Sequence, residues 1–175
     1  MAWRLITYRL PAEPSRHRVA VWRELRRLGA VPLQQGTWAV PVGEGFDAGF
    51  ADVVEAITAA GGQPVVLAVT DDQASAAQLE ALFTEQREAE WAEFLGDCGK
   101  YEAELAGEVA KGKLTLAELV EEEQSLERLR RWYPTIRARD LFGAPSAAAA
   151  EARLKECAEA LERFAEQVYR VRERP

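Results

Sequence analysis

Between Trp3 and Thr70 the apolar residues switch back and forth between strand spacing and helix spacing, and few folds accommodate the order in which they do so. The run WRLITYRL at 3–10 is largely aromatic, β-branched or aliphatic and is stopped by Pro11 and Pro14, which predicts a strand. Ser15 is a favourable N-cap. Val19, Trp22, Leu25 and Leu28 then recur at three-residue steps, predicting a helix over 15–28 that buries this stripe. Gly29 suits the left-handed backbone that ends a helix. VPLQ and TWAVPV flank Gln35-Gly36 and read as a hairpin with a tight turn. Pro32 has no N–H for a sheet ladder, so its strand belongs at an edge. A second helix is predicted over 46–60, with Phe46, Phe50, Val53, Val54 and Ile57 on one side and Gly61-Gly62 at its end. The uninterrupted apolar run PVVLAVT at 64–70 reads as a strand buried on both faces. The order β-α-β-β-α-β predicts an α+β fold, the ferredoxin-like split βαβ, with two helices on one face of a four-stranded antiparallel sheet.

After Asp72 strand spacing disappears. Residues 75–110 predict a helix with Leu79, Leu82, Phe83, Phe94, Cys98, Tyr101 and Leu105 available for its buried side, weakened where Gly96, Gly99 and Gly107 invite a bend or break. Thr115 and Glu118 form a capping box for a helix that runs to about Tyr133, since Pro134 disfavours helical backbone in its predecessor. Ser146 caps a last helix, whose Leu154, Cys157, Leu161, Phe164 and Val168 make a seam for another helix. The expected organisation is therefore a ferredoxin-like domain at 1–72 and a helical bundle at 73–175 packed on it. Cys98 and Cys157 lack metal-site or redox spacing and are expected to be reduced and buried. No apolar run approaches the ~20 residues that cross a bilayer. Arg4, Arg9, Pro11 and Glu13 interrupt the N-terminus too soon for a signal peptide. The expectation is a cytoplasmic protein with no membrane partner.

Charge is unevenly placed. Residues 3–42 carry arginines at 4, 9, 16, 18, 23, 26 and 27 against only Glu13 and Glu24, a basic segment in a chain of net charge −7. Arg16, Arg18, Arg23, Arg26 and Arg27 suit DNA phosphates through their forked donors. The alternative is a solvated helix face paired with local acids. A second cluster comprises Arg128, Arg130, Arg131, Arg137 and Arg139. Its first three residues complement the dipole at a helix C-terminus. Arg137 and Arg139 either pair with carboxylates of the bundle or, with Arg128 and Arg131, receive a tetrahedral oxyanion such as chromate. Glu121-Glu122-Glu123 and the group Glu88, Glu90 and Glu93 read as solvated helix faces, and Trp3, Trp22, Trp38, Trp91 and Trp132 as core residues.

Signatures of catalysis are missing. A carboxylate-bridged metal site calls for an E-x-x-H element, yet the only histidine, His17, begins a basic helix. There is no G-x-S-x-G, no Cys-His pairing and no glycine-rich phosphate loop, so neither an enzyme nor a cofactor is expected. Tyr8 and Trp38 fall on central strands, where RNA-recognition sheets stack bases, but G-T-W-A-V-P-V lacks the alternating aromatics of that motif.

Three separated blocks, TYRLPAEPSRHRVAVWRELRRLGAVPLQQGTWAVP, KLTLAELVEEEQSLERLRRWYPTIRARDLFGAP and AEQVYRV, resemble the N-terminal domain of ChrB-type chromate resistance regulators. The first block also resembles PaaX-type transcriptional repressors and, more distantly, the ferredoxin-like nucleases of CRISPR systems. Those nucleases place a metal-binding aspartate directly after the tyrosine of the first strand, whereas Tyr8 is followed here by Arg9-Leu10-Pro11, so the resemblance does not imply nuclease activity. It implies a chromate-linked transcriptional regulator that binds DNA, expected as a homodimer because regulators commonly read two half-sites. The further C-terminal domain of full-length ChrB proteins has no counterpart in the sequence, which leaves inducer sensing open. A non-catalytic interaction module working through its acidic helices, or a nuclease-like domain lacking its metal site, are the alternatives.

Overall fold

The computed structural model describes residues 1–69 and 73–173. The protein divides into two compact units, Met1–Gln86 and Arg87–Pro175. The boundary expected after residue 72 falls at residues outside those described; the division between the two units lies within a long helix.

In the first unit the strands β1 (Trp3–Thr7), β2 (Val31–Gln34), β3 (Thr37–Pro41) and β4 (Val65–Val69) alternate with helices α1 (Ser15–Leu28) and α2 (Glu44–Ala59). They form one antiparallel sheet in the order β2-β3-β1-β4. Pro32 lies on the edge strand β2, beside a register shift between Pro32 and Gln34. Gly36 makes the hairpin turn at φ 74, and its carbonyl accepts the Tyr8 N–H at 2.8 Å. A Cβ there would stand 2.6 Å from the Tyr8 carbonyl oxygen, so both conformation and space demand glycine. Ile6, Leu25 and Ile57 are fully buried, each contributing about 1.5–3 kcal/mol of hydrophobic stabilisation. Phe83 meets the rings of Trp3 and Phe46 edge-on, at 5.7 and 6.3 Å.

Three local expectations are corrected here. Residues 8–10 lie outside β1, because the Tyr8 N–H is drawn to the hairpin turn. β4 is not buried: Val65, Val66 and Leu67 are each about half exposed, because the strand order leaves β4 at the sheet's other edge. In α1 the buried residues are Val21, Leu25 and Leu28, while Val19 and Trp22 are exposed. The helix is rotated about its axis relative to the stripe read from spacing.

The second unit is built from the helix α3 (Gln73–Ala110) beyond Gln86, α4 (Leu116–Arg137) and α5 (Ala147–Arg172). Trp91, Phe94, Cys98, Tyr101 and Leu105 line α3 at alternating steps of three and four and pack with Leu119, Leu126, Leu129 and Ile136 of α4. Ala150, Cys157, Phe164 and Val168 complete the core from α5, with Leu154 and Leu161 partly buried against it. Gly96, Gly99 and Gly107 do not interrupt α3. Each costs roughly 1 kcal/mol relative to alanine, which the burial of Phe94, Cys98 and Tyr101 offsets. α4 likewise continues through Pro134 to Arg137, anchored by the fully buried Ile136. Thr115 caps α4 as expected, accepting the Glu118 N–H at 3.2 Å. Cys98 and Cys157 are free and buried, and the Cys157 Sγ lies 3.7 Å from the Cys98 carbonyl oxygen. Hydrogen bonding to Cys98 and burial push the Cys157 thiol up, keeping it protonated. Among the described residues no helix is long and apolar enough to cross a membrane.

Candidate functional site

The rotation of α1 sorts its arginines. Successive residues advance about 100° around a helix. With Val21, Leu25 and Leu28 turned inward, Arg18, Trp22, Arg26 and Val19 occupy one flank. Arg16, Arg23 and Arg27 fall within about 40° of one another on the outward side. Arg16 and Arg23 are exposed, and Arg27 is bonded to Glu24 through Nη2 at 2.6 Å and Nε at 2.9 Å. The sequence-predicted phosphate contacts therefore form two sets: an outward stripe, and a pair on the flank.

The flank pair opens onto a cavity of about 920 Å³. Tyr8, Arg9 and Leu10 line it from the segment after β1, Arg18, Val19, Trp22 and Arg26 from α1, and residues 32–36 with Trp38 from the hairpin. Among the described residues no acidic side chain lines it. Trp22 is 51% exposed, and the Arg26 guanidinium lies 5.9 Å from its ring centroid. Trp38 is buried at 6% exposure and lines the cavity together with Tyr8. Burial pushes the Tyr8 phenol up and the Trp38 side chain draws it partly back, so near neutral pH Tyr8 keeps its own proton. Trp22 thus departs from the expected role of core tryptophan, because the inward side of α1 passes it by. Arg4 is used inside the unit, with Nη2 at 2.5 Å from Asp47 Oδ1 and its guanidinium 4.2 Å from the Phe50 ring centroid.

In the second unit the oxyanion candidates are engaged by protein groups. Arg139 Nη2 bonds Glu90 Oε2 at 3.0 Å, and Arg137 Nη1 bonds the Asp140 carbonyl at 3.2 Å. Arg128 Nη2 bonds Ser125 at 2.8 Å, and Arg131 Nε bonds the Glu127 carbonyl at 3.3 Å. Arg128 and Arg131 share a cleft on α4 with Glu123 and Glu127, whose carboxylates oppose an anion there.

Several glutamates expected to be solvated are not. Glu90 is 9% exposed and also bonds Arg87 Nη2 at 3.1 Å. Glu88 accepts the Ser146 N–H at 3.0 Å and the Ser146 hydroxyl, which diverts Ser146 from capping α5. Glu122 is 4% exposed, and burial with Glu104, Glu108, Glu118 and Glu121 nearby pushes its carboxyl up to about 7. Asp140 is also buried, accepting the Trp91 indole N–H at 3.0 Å and the Ala144 N–H at 2.9 Å. Helical spacing carried part of this signal. Glu122 stands three residues after Leu119 and four before Leu126, and Arg87 and Glu90 precede Trp91 and Phe94 on the same face. Among the described residues no group of three or more histidine, cysteine or acidic side chains is placed to hold a metal.

Compared with known families, residues 18–175 match the one described as protein ChrB, N-terminal. The match starts within α1 and leaves out β1, Tyr8 and Arg9. No curated protein and no solved structure matches the chain.

Proposed function

This chain belongs to the ChrB N-terminal family, and we propose that it is a chromate-linked regulator that binds DNA through the outward face of α1. The supporting observation is the stripe Arg16, Arg23 and Arg27 on an exposed helix of an otherwise acidic chain. At 1.5 Å rise per residue the stripe spans about 16 Å, enough to follow several phosphates along one strand. Its role is to hold the protein on DNA, since phosphate contacts carry no sequence information themselves. The protein acts by binding and carries out no reaction of its own.

The first unit is read as a ferredoxin-like split βαβ, on the order of its elements and the β2-β3-β1-β4 sheet. Its β4 edge supports a homodimer. Val65, Val66 and Leu67 are exposed on a strand whose outer N–H and C=O groups meet no further strand among the described residues. A second copy pairing antiparallel to β4 would cover this apolar edge and satisfy its ladder. The test of the DNA reading is retardation of DNA from upstream of the chain's own gene as salt is varied. Salt-insensitive or absent retardation overturns it.

A further inference from the structure

We propose that the cavity between α1 and the β2–β3 hairpin is a binding site for a small planar organic anion, a flat apolar ring system bearing a carboxylate. The inference goes beyond DNA contact, because it concerns the inner flank of α1 rather than its outward stripe.

Size, wall chemistry and charge point to the same class of molecule. The cavity, about 920 Å³, lies within the ~300–1,000 Å³ range of small-molecule sites. Its walls include two indoles in different states. Trp38 is buried. Trp22 is half exposed on a helix whose core-facing side is filled by Val21, Leu25 and Leu28. An exposed tryptophan facing a concave, partly apolar surface offers a ring face on which a planar group can stack. Arg9, Arg18 and Arg26 line the same cavity, with no carboxylate beside them among the described residues, so their field favours an anion. Arg26 lies over the Trp22 ring, which puts a cation beside the stacking face. The protonated Tyr8 hydroxyl can donate to a carboxylate oxygen. An inorganic oxyanion would match the charge of the arginines and leave the indoles wet; a neutral ring would do the reverse.

The experiment uses the whole chain, without DNA, and follows the indole N–H resonances of its five tryptophans by NMR. The probes are naphthalene-2-carboxylate, neutral naphthalene-2-carboxamide and sulfate. The expected result is a saturable displacement of the Trp22 and Trp38 resonances by the carboxylate, with Trp91 and Trp132 unmoved. Binding should weaken at least tenfold for the carboxamide and at least tenfold in Arg18→Gln or Arg26→Gln. An unchanged resonance of Trp3, buried in the core of the same unit, establishes that these surface variants fold. Absence of saturable displacement overturns the proposal, as does binding indifferent to both substitutions. Sulfate displacing the same two resonances at equal concentration also overturns it, leaving an inorganic anion site only. With no DNA in the sample, failure here leaves the DNA reading intact, and failure of DNA retardation leaves this proposal intact.

Discussion

Arg139 and Glu90, 49 residues apart in the chain, form an ion pair of 3.0 Å in which neither side chain is more than 14% exposed. The pair ties the segment after α4 to the middle of α3, and Glu90 holds Arg87 with its other oxygen. Removing one partner of such a pair strands the other charge away from water, at a cost of about 3 kcal/mol. Arg139→Gln should therefore lower the thermal midpoint by several degrees, and Arg137→Gln, which loses a bond to one carbonyl, by much less. Chromate should not raise the wild-type midpoint saturably. A chromate-dependent rise lost in Arg139→Gln would show that Arg139 serves an oxyanion instead.

Glu122 predicts a pH dependence. Its carboxyl is raised to about 7 in the folded protein, chiefly by burial, from an ordinary value of 4.5. The folded state thus holds a proton that the unfolded state releases between these values. Its contribution to stability is complete below about pH 4.5 and is lost as pH rises through about 7. Glu122→Gln, which mimics the protonated form, should stabilise the protein at pH 8 by on the order of 1–2 kcal/mol. It should also flatten the loss of stability between pH 5 and 8. Denaturant titrations at the two pH values check this; equal slopes in wild type and variant would refute it.

Arg23→Glu combined with Arg27→Glu should weaken DNA binding to all sequences alike. Each lost phosphate contact lowers the logarithmic salt slope by about 0.9, so the double variant should lose nearly two units. Fluorescence anisotropy across a salt series measures both. The thermal midpoint should barely move, because Arg23 is exposed and the Arg27–Glu24 ion pair is exposed to solvent.

Leu67→Glu tests the β4 edge. Leu67 is half exposed, so the substitution should leave the fold intact while placing like charges against each other in a β4–β4 pair. Sedimentation equilibrium should show a wild-type dimer dissociating at least tenfold more readily in the variant. A wild-type monomer, or a dimer indifferent to Leu67→Glu, rules this interface out.

Much of this architecture is written in the amino-acid sequence. The hairpin at Gln35-Gly36, the edge position of Pro32, the Gly29 terminus of α1 and the Thr115 cap depend on backbone chemistry within a few residues. The α5 seam was readable for the same reason, since spacing along one helix reports which residues can share a face. The basic character of α1 was equally plain from composition.

The axial rotation of α1 was not readable. Val19-Trp22-Leu25-Leu28 and Val21-Leu25-Leu28 are both plausible apolar stripes, and they share Leu25 and Leu28. Local spacing cannot choose between them; packing against α2 and the sheet does, and it turns Trp22, Arg18 and Arg26 toward the cavity. For β4 the apolar run established a strand, while its exposure followed from the absence of a neighbour on one side. The burial of Glu90 and Arg139 likewise depended on residues distant in the chain coming together. Elements and their ends are local properties, written in neighbouring residues. Which face is wet, which charge is paired and which arginines share a cavity are properties of what lies opposite, and only the folded chain supplies that.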